Sequence, residues 1–256
     1  MNNNNLQNPS SDLLCINNKN LDWSEMRIQN IFLFLFIYTT MIHCTTIGIP
    51  NPISKNSYDF SETVVYRLCI LQDEDVSDSR VNFMVNRLTE ELKDYNIKLE
   101  IPFKKKWTRN YFFTHDILYN DVVHRPLPNQ CDRLVAFASR GFGDFLFSFF
   151  GEVMGVVETV TRTKGVVYAD YFTFNVLIGA TPSSVLIHEN YHFLGCNHSI
   201  IMNSCYESVF NHKKEALKNK KEYDFFPSLG FDQKMIPSRE IADLFLTQLK
   251  EEKNEN

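Results

Sequence analysis

One stretch constrains this chain more than any other, and it runs "VLIHENYHFLGCNHSIIMN" from Val185 to Asn203. His188 and His192 are four residues apart, so on a helix both imidazoles project from the same face. That spacing allows two side chains to bind one tetrahedral Zn²⁺ ion. Gly195 can end the helix in a left-handed turn and bring His198 back as a third ligand. The stretch therefore predicts a helix and a turn built around a single metal ion.

The same residues predict chemistry as well as binding. Three neutral imidazoles leave the fourth zinc position for water, which is the arrangement of a catalytic site. The pKa of that water is then expected to fall to about 7. Glu189 is rotated by about 100° from His188 around the helix axis, so it can reach the water instead of the metal. We expect Glu189 to act as the general base in amide hydrolysis and to pass the proton on to the leaving amine.

Apolar periodicity predicts alternating strands and helices before this stretch. Thr181 is a good N-cap and Pro182 fits the first helical position, while Gly155 indicates a bulge or a close approach. The terminal helix is expected to bury Ile241, Leu244, Phe245 and Leu249. Strands are predicted at 63–71, 97–103, 133–139, 152–160 and 166–172, and helices at 79–96, 182–194 and 239–253. The order favours an α/β domain with a small C-terminal part.

The residues from His188 to His198 carry the motif of the metzincin zinc peptidases, which this chain resembles. The segments "MVNRLTEELKDYNIKLEI", "KKKWT", "CDRLVAFASRGF" and "GEVMGVVETVTRTKGVVYADY" are similar to the adamalysin (reprolysin) branch, the venom and ADAM-type metalloproteases. The resemblance spans residues 62–202. It implies a secreted zinc endopeptidase with an α/β (α+β) fold. That fold has a mixed twisted sheet with helices, a zinc helix at the cleft floor and a small irregular C-terminal subdomain ending in a helix.

Two features depart from that branch, which usually has Asp after the third histidine and a longer, cysteine-bearing segment before its methionine turn. Here Ser199 follows His198, and Met202 comes only four residues after it. Met202 is the candidate for the methionine turn beneath the metal, and a core gap-filler is the alternative.

Substrate is expected to pair with the strand at 152–160, which is the open edge of the sheet in the resembled family. Tyr206 and Phe210 are the candidate wall of an apolar pocket for the residue after the cut. The alternative is an internal strand, with Tyr206 and Phe210 in the core.

The N-terminal region has the pattern of an exported protein. Residues 1–25 are Asn-rich and are predicted to be a disordered leader. Residues 26–48 have a basic start, a short apolar run and small residues, which is typical of a signal peptide. The twelve residues of the apolar run span about 18 Å as a helix, against about 30 Å for a hydrocarbon core, so an uncleaved membrane anchor is the alternative. We expect a linker at 49–60, the metalloprotease domain at 61–250 and a tail at 251–256.

Export leaves four cysteines, which allow two disulfides in three connectivities. Cys196 and Cys205 are the closest pair in sequence, so their pairing is the first expectation, with free buried thiols as the alternative. The four are Cys69, Cys131, Cys196 and Cys205.

Charge excludes one class of partner. The net charge is −5 and the basic residues are dispersed, so no nucleic-acid-binding face is expected. The basic run at 212–221 is predicted to be the solvated face of a helix. A protein or peptide substrate is the expected partner. A non-catalytic binding protein of the same fold and a membrane-anchored ectodomain are the competing hypotheses, and Glu189 favours the enzyme because a structural zinc does not need it.

Overall fold

A computed structural model describes residues 47–140, 153–169, 181–219 and 222–254. The chain divides into two compact units, Met1–Thr40 and Met41–Asn256, and all described residues lie in the second. The predicted leader and nearly all of the predicted signal segment therefore lie outside the described residues. The helices are α1 (Pro52–Lys55), α2 (Asp78–Lys93), α3 (Thr114–Ile117, continued by a π-helical turn at Leu118–Val122), α4 (Pro182–Phe193), α5 (Asn203–Asn219) and α6 (Arg239–Asn254).

A mostly parallel sheet forms the centre of this α/β fold. Its order is β2–β1–β4–β6–β5, and β3 follows β2 along the same side of β1. Each pair in the sheet is parallel except β5 with β6, which is antiparallel and leaves β5 at the edge. The strands are β1 (Val64–Asp73), β2 (Ile97–Glu100), β3 (Lys104–Trp107), β4 (Arg133–Ala138), β5 (Gly155–Val157) and β6 (Lys164–Tyr168), and a separate hairpin contains β7 (Ser228–Leu229) and β8 (Met235–Ile236).

Both faces of the sheet are covered, which explains why β1 is an almost continuous apolar run. Leu68 and Ile70 point to the face that carries α2 and α4. Cys69 and Leu71 point to the opposite face, with α3 and the α6 residue Leu246. Alternation along the strand thus sends neighbouring residues into two different apolar clusters.

Helices α2 and α4 begin where their capping residues predict. The Ser77 side chain accepts a hydrogen bond from the Arg80 amide at the start of α2. The Thr181 hydroxyl accepts one from the Ser184 amide at the start of α4, with Pro182 in the first turn. These caps satisfy amide groups that have no partner inside the helix.

The region after α4 differs from the prediction. Instead of an irregular remainder, it contains the 17-residue helix α5. The basic run on this helix is also not fully solvated, because His212 and Lys213 are buried. The Lys213 ammonium donates hydrogen bonds to the carbonyl oxygens of Phe60 and Tyr95, which are distant in sequence. Contacts with these distant residues bury Lys213, although the basic residues next to it in sequence predicted an exposed position.

The terminal helix α6 forms as predicted, but the predicted inner face is wrong. Among the described side chains of α6, Ala242 and Leu246 are the buried apolar ones, while Ile241, Leu244 and Phe245 are 37%, 57% and 40% exposed. The Leu249 side chain lies outside the described residues. Ala242 and Leu246 are one turn apart, so the helix rests on a narrow stripe centred on a small residue. Within the described residues no helix is both long and apolar enough to cross a membrane.

Candidate metal centre

The three predicted ligands converge at the C-terminal half of α4. The His188 and His192 ring centroids are 5.0 Å apart, and the His198 ring lies 4.9 Å and 4.8 Å from them. One nitrogen from each ring lies within 4.8 Å of the other two. Ligands of a tetrahedral zinc ion with Zn–N bonds near 2.0–2.1 Å would be about 3.3 Å apart. The donor set therefore fits one metal ion after a small inward movement of the rings.

A hydrogen bond at one ring nitrogen of His192 leaves the other ring nitrogen able to bind a metal. Nδ1 lies 2.9 Å from the carbonyl oxygen of Cys196, which can only accept, so Nδ1 carries the proton. Nε2 is then left with its lone pair free, as in metal-binding histidines elsewhere. Burial lowers the pKa of His192 to about 4, although the hydrogen bond to Cys196 acts in the opposite direction. The imidazole is therefore neutral at physiological pH.

Glu189 is buried between the metal-binding face and the edge strand. Only 5% of its surface is exposed, and burial raises the pKa of the carboxyl to about 8. A Cβ atom on Gly155 would lie 2.6 Å from Glu189 Cγ and 2.7 Å from Oε1. The close approach predicted at Gly155 is thus confirmed, and its physical reason is the Glu189 side chain. The carboxyl group lies directly against β5.

Two residues inside the motif hold the helix in place, and sequence reasoning gave them no role. Asn190 Oδ1 accepts a buried hydrogen bond of 3.0 Å from the Tyr66 hydroxyl of β1. The Tyr191 hydroxyl lies 2.9 Å from the Tyr95 hydroxyl and also donates to Glu91 of α2. Asn190 is about 200° around the helix from His188, on the side facing the core. The place of Asn190 opposite the histidines was the available signal for it, whereas Tyr191 lies only about 60° from His188 and carried no such signal.

The turn that follows α4 is fixed by α5. Gly195 has a φ of +82°, the left-handed conformation predicted for it. Its position is crowded as well, since a Cβ atom would lie 2.5 Å from Ser208 Oγ and 2.6 Å from His212 Cε1. The Ser208 hydroxyl donates to the Leu194 carbonyl oxygen at 2.8 Å.

Two disulfides join the four cysteines. Cys196 pairs with Cys205, which confirms the first expectation and places a covalent bond between the turn and α5. Cys69 pairs with Cys131, so the alternative of free buried thiols is wrong. Only the first bond lies beside the histidines.

Of the remaining predicted site residues, Met202 and Tyr206 are buried and Phe210 is partly buried. Met202 is 1% exposed and belongs to the apolar cluster between α4 and the sheet. Tyr206 is 2% exposed, and the Phe210 ring packs 5.4 Å from Tyr58 and 6.1 Å from Phe60. These contacts match the core alternative for Tyr206 and Phe210.

The chain before α1 also belongs to this region. Ile49 forms a parallel bridge with Ile201, three residues after His198. Phe60 is buried beneath α5. Residues 47–60, where the end of a signal segment and a linker were predicted, are therefore hydrogen-bonded to and packed against the rest of the described fold. Sequence alone missed this because the pairing partner lies about 150 residues away.

No family model matches the chain, and no curated protein matches it.

Proposed function

We propose that this chain is a secreted zinc-dependent metalloendopeptidase of the metzincin class, similar in layout to the adamalysin branch. The observation that carries the proposal is the convergence of three imidazoles beside a buried carboxyl group at an open sheet edge. The order of elements agrees with the resemblance: a helix, a strand, a tryptophan, an antiparallel edge strand and then the metal-binding helix. His188, His192 and His198 would hold the zinc ion.

When bound, zinc would polarise a carbonyl group and lower the pKa of a water molecule. Glu189 would accept a proton from the attacking water and later deliver it to the leaving amine. Burial alone raises the pKa of its carboxyl to about 8. The positive charge of a bound zinc ion would lower that pKa again and favour the carboxylate form that a base needs. His192 contributes its unprotonated Nε2, and the Cys196 carbonyl keeps the ring in that tautomer.

The edge strand would hold the substrate. Among the described strands β5 pairs with β6 alone, so its other side offers backbone groups to an extended peptide. The contact between Gly155 and Glu189 brings that edge next to the proposed base. A peptide added to β5 would therefore pass close to the carboxyl group. This arrangement favours a polypeptide substrate over a small molecule.

Two observations support export. Disulfides persist in oxidising compartments, and the described residues contain two of them. The basic start and the apolar run of the predicted signal segment lie before residue 47, the first described residue of the fold. We infer that the protein works outside the cell.

The deciding experiment compares Glu189→Gln with Glu240→Gln, an exposed glutamate on α6. Elemental analysis should find about one zinc per chain in the parent and in both variants. Casein cleavage should stop with a chelator, and Glu189→Gln should lower turnover by about 10²–10⁴-fold, while Glu240→Gln keeps the parent rate. Equal cleavage by Glu189→Gln would refute the assigned base. A parent protein that binds zinc but cleaves nothing would favour the non-catalytic binding protein.

A further inference from the structure

We propose that residues 47–51, named here the N-terminal strap, position the third metal ligand. The proposal rests on the proposed function only in taking zinc as the metal. His188 and His192 are carried by α4, whereas His198 is exposed and lies in a segment without regular structure. An exposed side chain on such a segment keeps much of its conformational freedom unless other contacts remove it. The strap supplies those contacts.

Three backbone hydrogen bonds join the strap to the segment that follows His198. The Ser199 amide donates to the Ile47 carbonyl oxygen at 3.1 Å. The Ile49 amide donates to the Ile200 carbonyl oxygen at 2.9 Å, and the Met202 amide donates to the Ile49 carbonyl oxygen at 3.0 Å. The first of these bonds begins one residue after the ligand. The two segments thus form a short parallel pairing beside the metal centre.

The strap is itself firmly held. Ile47 is 4% exposed and is part of the main apolar cluster. The Asn51 amide donates to the Tyr206 hydroxyl at 3.2 Å, and Asn51 Nδ2 donates to Asn203 Oδ1 at 3.0 Å. Tyr206 therefore has a specific partner in the strap. A strap anchored at both ends can fix the segment it pairs with.

Glycine at position 48 permits the close approach of the two backbones. A Cβ atom there would lie 2.4 Å from the Ser199 carbonyl oxygen, well inside the shortest normal contact. Since the obstacle is backbone, a side chain at 48 cannot be accommodated by a rotamer change. Either the strap or the residue after His198 would have to move.

The other side of His198 is fixed independently. Cys196, two residues before the ligand, is bonded to Cys205 of α5. Asn197 Oδ1 accepts a hydrogen bond of 3.0 Å from the Arg162 guanidinium, in the turn between β5 and β6. His198 therefore lies between a covalent anchor and the strap. With both in place, zinc does not have to order this segment when it binds, which favours tight binding.

Thermodynamic linkage makes the effect reciprocal. If the docked strap raises zinc affinity by some factor, bound zinc must favour strap docking by the same factor. Hydrogen exchange can measure that second effect in the unaltered chain, because the Ser199, Ile49 and Met202 amides are the donors of the pairing.

The test uses the full chain and a matched pair of variants at one exposed position. Ile49 is 64% exposed, so its side chain contributes little packing. Ile49→Pro removes the amide that donates to Ile200, while Ile49→Ala keeps it. Pro50 already restricts residue 49 to extended backbone, which proline can adopt. Zinc affinity is measured by competition with a chromogenic chelator, and the Co²⁺-substituted protein is compared by its visible spectrum.

Ile49→Pro should weaken zinc binding by about 10–100-fold, the range for groups that support a ligand, and should change the Co²⁺ spectrum. Ile49→Ala should match the parent in both. Equal zinc affinity in the two variants would overturn the proposal. These readouts do not use peptide cleavage, so a protein without peptidase activity could still confirm the strap.

If Ile49→Pro does not fold, hydrogen exchange on the unaltered protein decides the question. The Ser199, Ile49 and Met202 amides should exchange more slowly with zinc than without it, by the same 10–100-fold. Zinc-independent exchange at these three amides would overturn the proposal.

Discussion

The candidate metal centre combines two regions that are built in different ways. His188 and His192 lie on α4, a helix defined by its own cap and anchored by Asn190 and Tyr191. His198 lies on an exposed segment without regular structure, held by a disulfide on one side and by the strap on the other. The first region is organised by residues close in sequence. The second depends on the strap, about 150 residues away in sequence, and on a covalent bond to α5.

This difference indicates which part of the site is most sensitive to mutation. A helix places side chains four residues apart on one face whatever surrounds it, so the first two ligands stay aligned as long as α4 forms. The third ligand has no such local support, and each of its anchors can be removed without altering the helix. Changes at a distance should therefore act mainly through His198.

The largest effect is expected from removing the ligands themselves. His192→Ala should lose most of the zinc, because it breaks the pair that the helix prearranges. His198→Ala should also bind zinc poorly but retain more than His192→Ala, since the aligned pair His188 and His192 remains. Elemental analysis and chelator competition measure both. Stoichiometric zinc in His192→Ala would contradict the assignment of these histidines as zinc ligands. Tighter zinc binding by His192→Ala than by His198→Ala would contradict the expected order of the two variants.

The two disulfides provide a second, smaller contrast. The loop closed by Cys69–Cys131 spans 62 residues and the loop closed by Cys196–Cys205 spans nine. Chain entropy predicts losses of about 4 and about 3 kcal/mol in the free energy of unfolding when each pair is replaced by alanine. The loss of zinc affinity should follow the opposite order, with the larger loss when Cys196–Cys205 is removed.

The Cys196→Ala, Cys205→Ala double variant should weaken zinc binding about 10–100-fold, since it frees the segment beside His198. The Cys69→Ala, Cys131→Ala variant should leave zinc affinity unchanged despite its larger loss of stability. Denaturant titration and chelator competition on the two proteins give both quantities. Parallel losses in the two variants would show that affinity follows global stability and not the local anchor.

The effect expected to be smallest at neutral pH is the acid sensitivity that comes from His212, which packs against Gly195. Burial lowers the pKa of His212 to about 3, and the charges of Arg133 and Arg162 act in the same direction. Between about pH 6.5 and pH 3 the unfolded chain binds a proton that the folded chain does not. Stability must therefore fall as the pH falls through this window, by at most about 1.4 kcal/mol per pH unit.

His212→Gln should flatten that part of the stability curve, while the same change at the exposed His115 should leave its slope as in the parent. Urea unfolding of the metal-free proteins at several pH values measures the slopes. Identical slopes for the parent and His212→Gln would show that His212 does not contribute to acid sensitivity.

Much of the candidate site could be predicted from the sequence, because its determinants are local. The start of α4 followed from Thr181 and Pro182, and the turn followed from Gly195, whose left-handed backbone few other residues adopt readily. The close approach at Gly155 was also predicted, although its partner Glu189 was not. Each of these predictions depends on residues within one element or one turn.

Other features depend on distant partners and were not predicted. The face that α6 buries, the burial of Lys213 and the pairing of residues 47–51 are settled by chain segments far away in sequence. Helical periodicity shows which side chains share a face, but it does not show which face meets the rest of the protein. The basic run at 212–221 illustrates this, because Lys213 finds its acceptors on Phe60 and Tyr95.

The sequence by itself determined the candidate ligand set, the helix that carries two of its histidines and the glycine that turns the chain towards the third. Backbone sterics, capping and helical spacing act over a few residues, so these features can be predicted from a short stretch of sequence. The tertiary structure alone decided how His198 is held, since backbone groups of Ile47 and Ile49 pair with a segment about 150 residues later. Every residue except proline can donate a backbone hydrogen bond of this kind. The pattern of side chains in the sequence therefore does not predict such bonds.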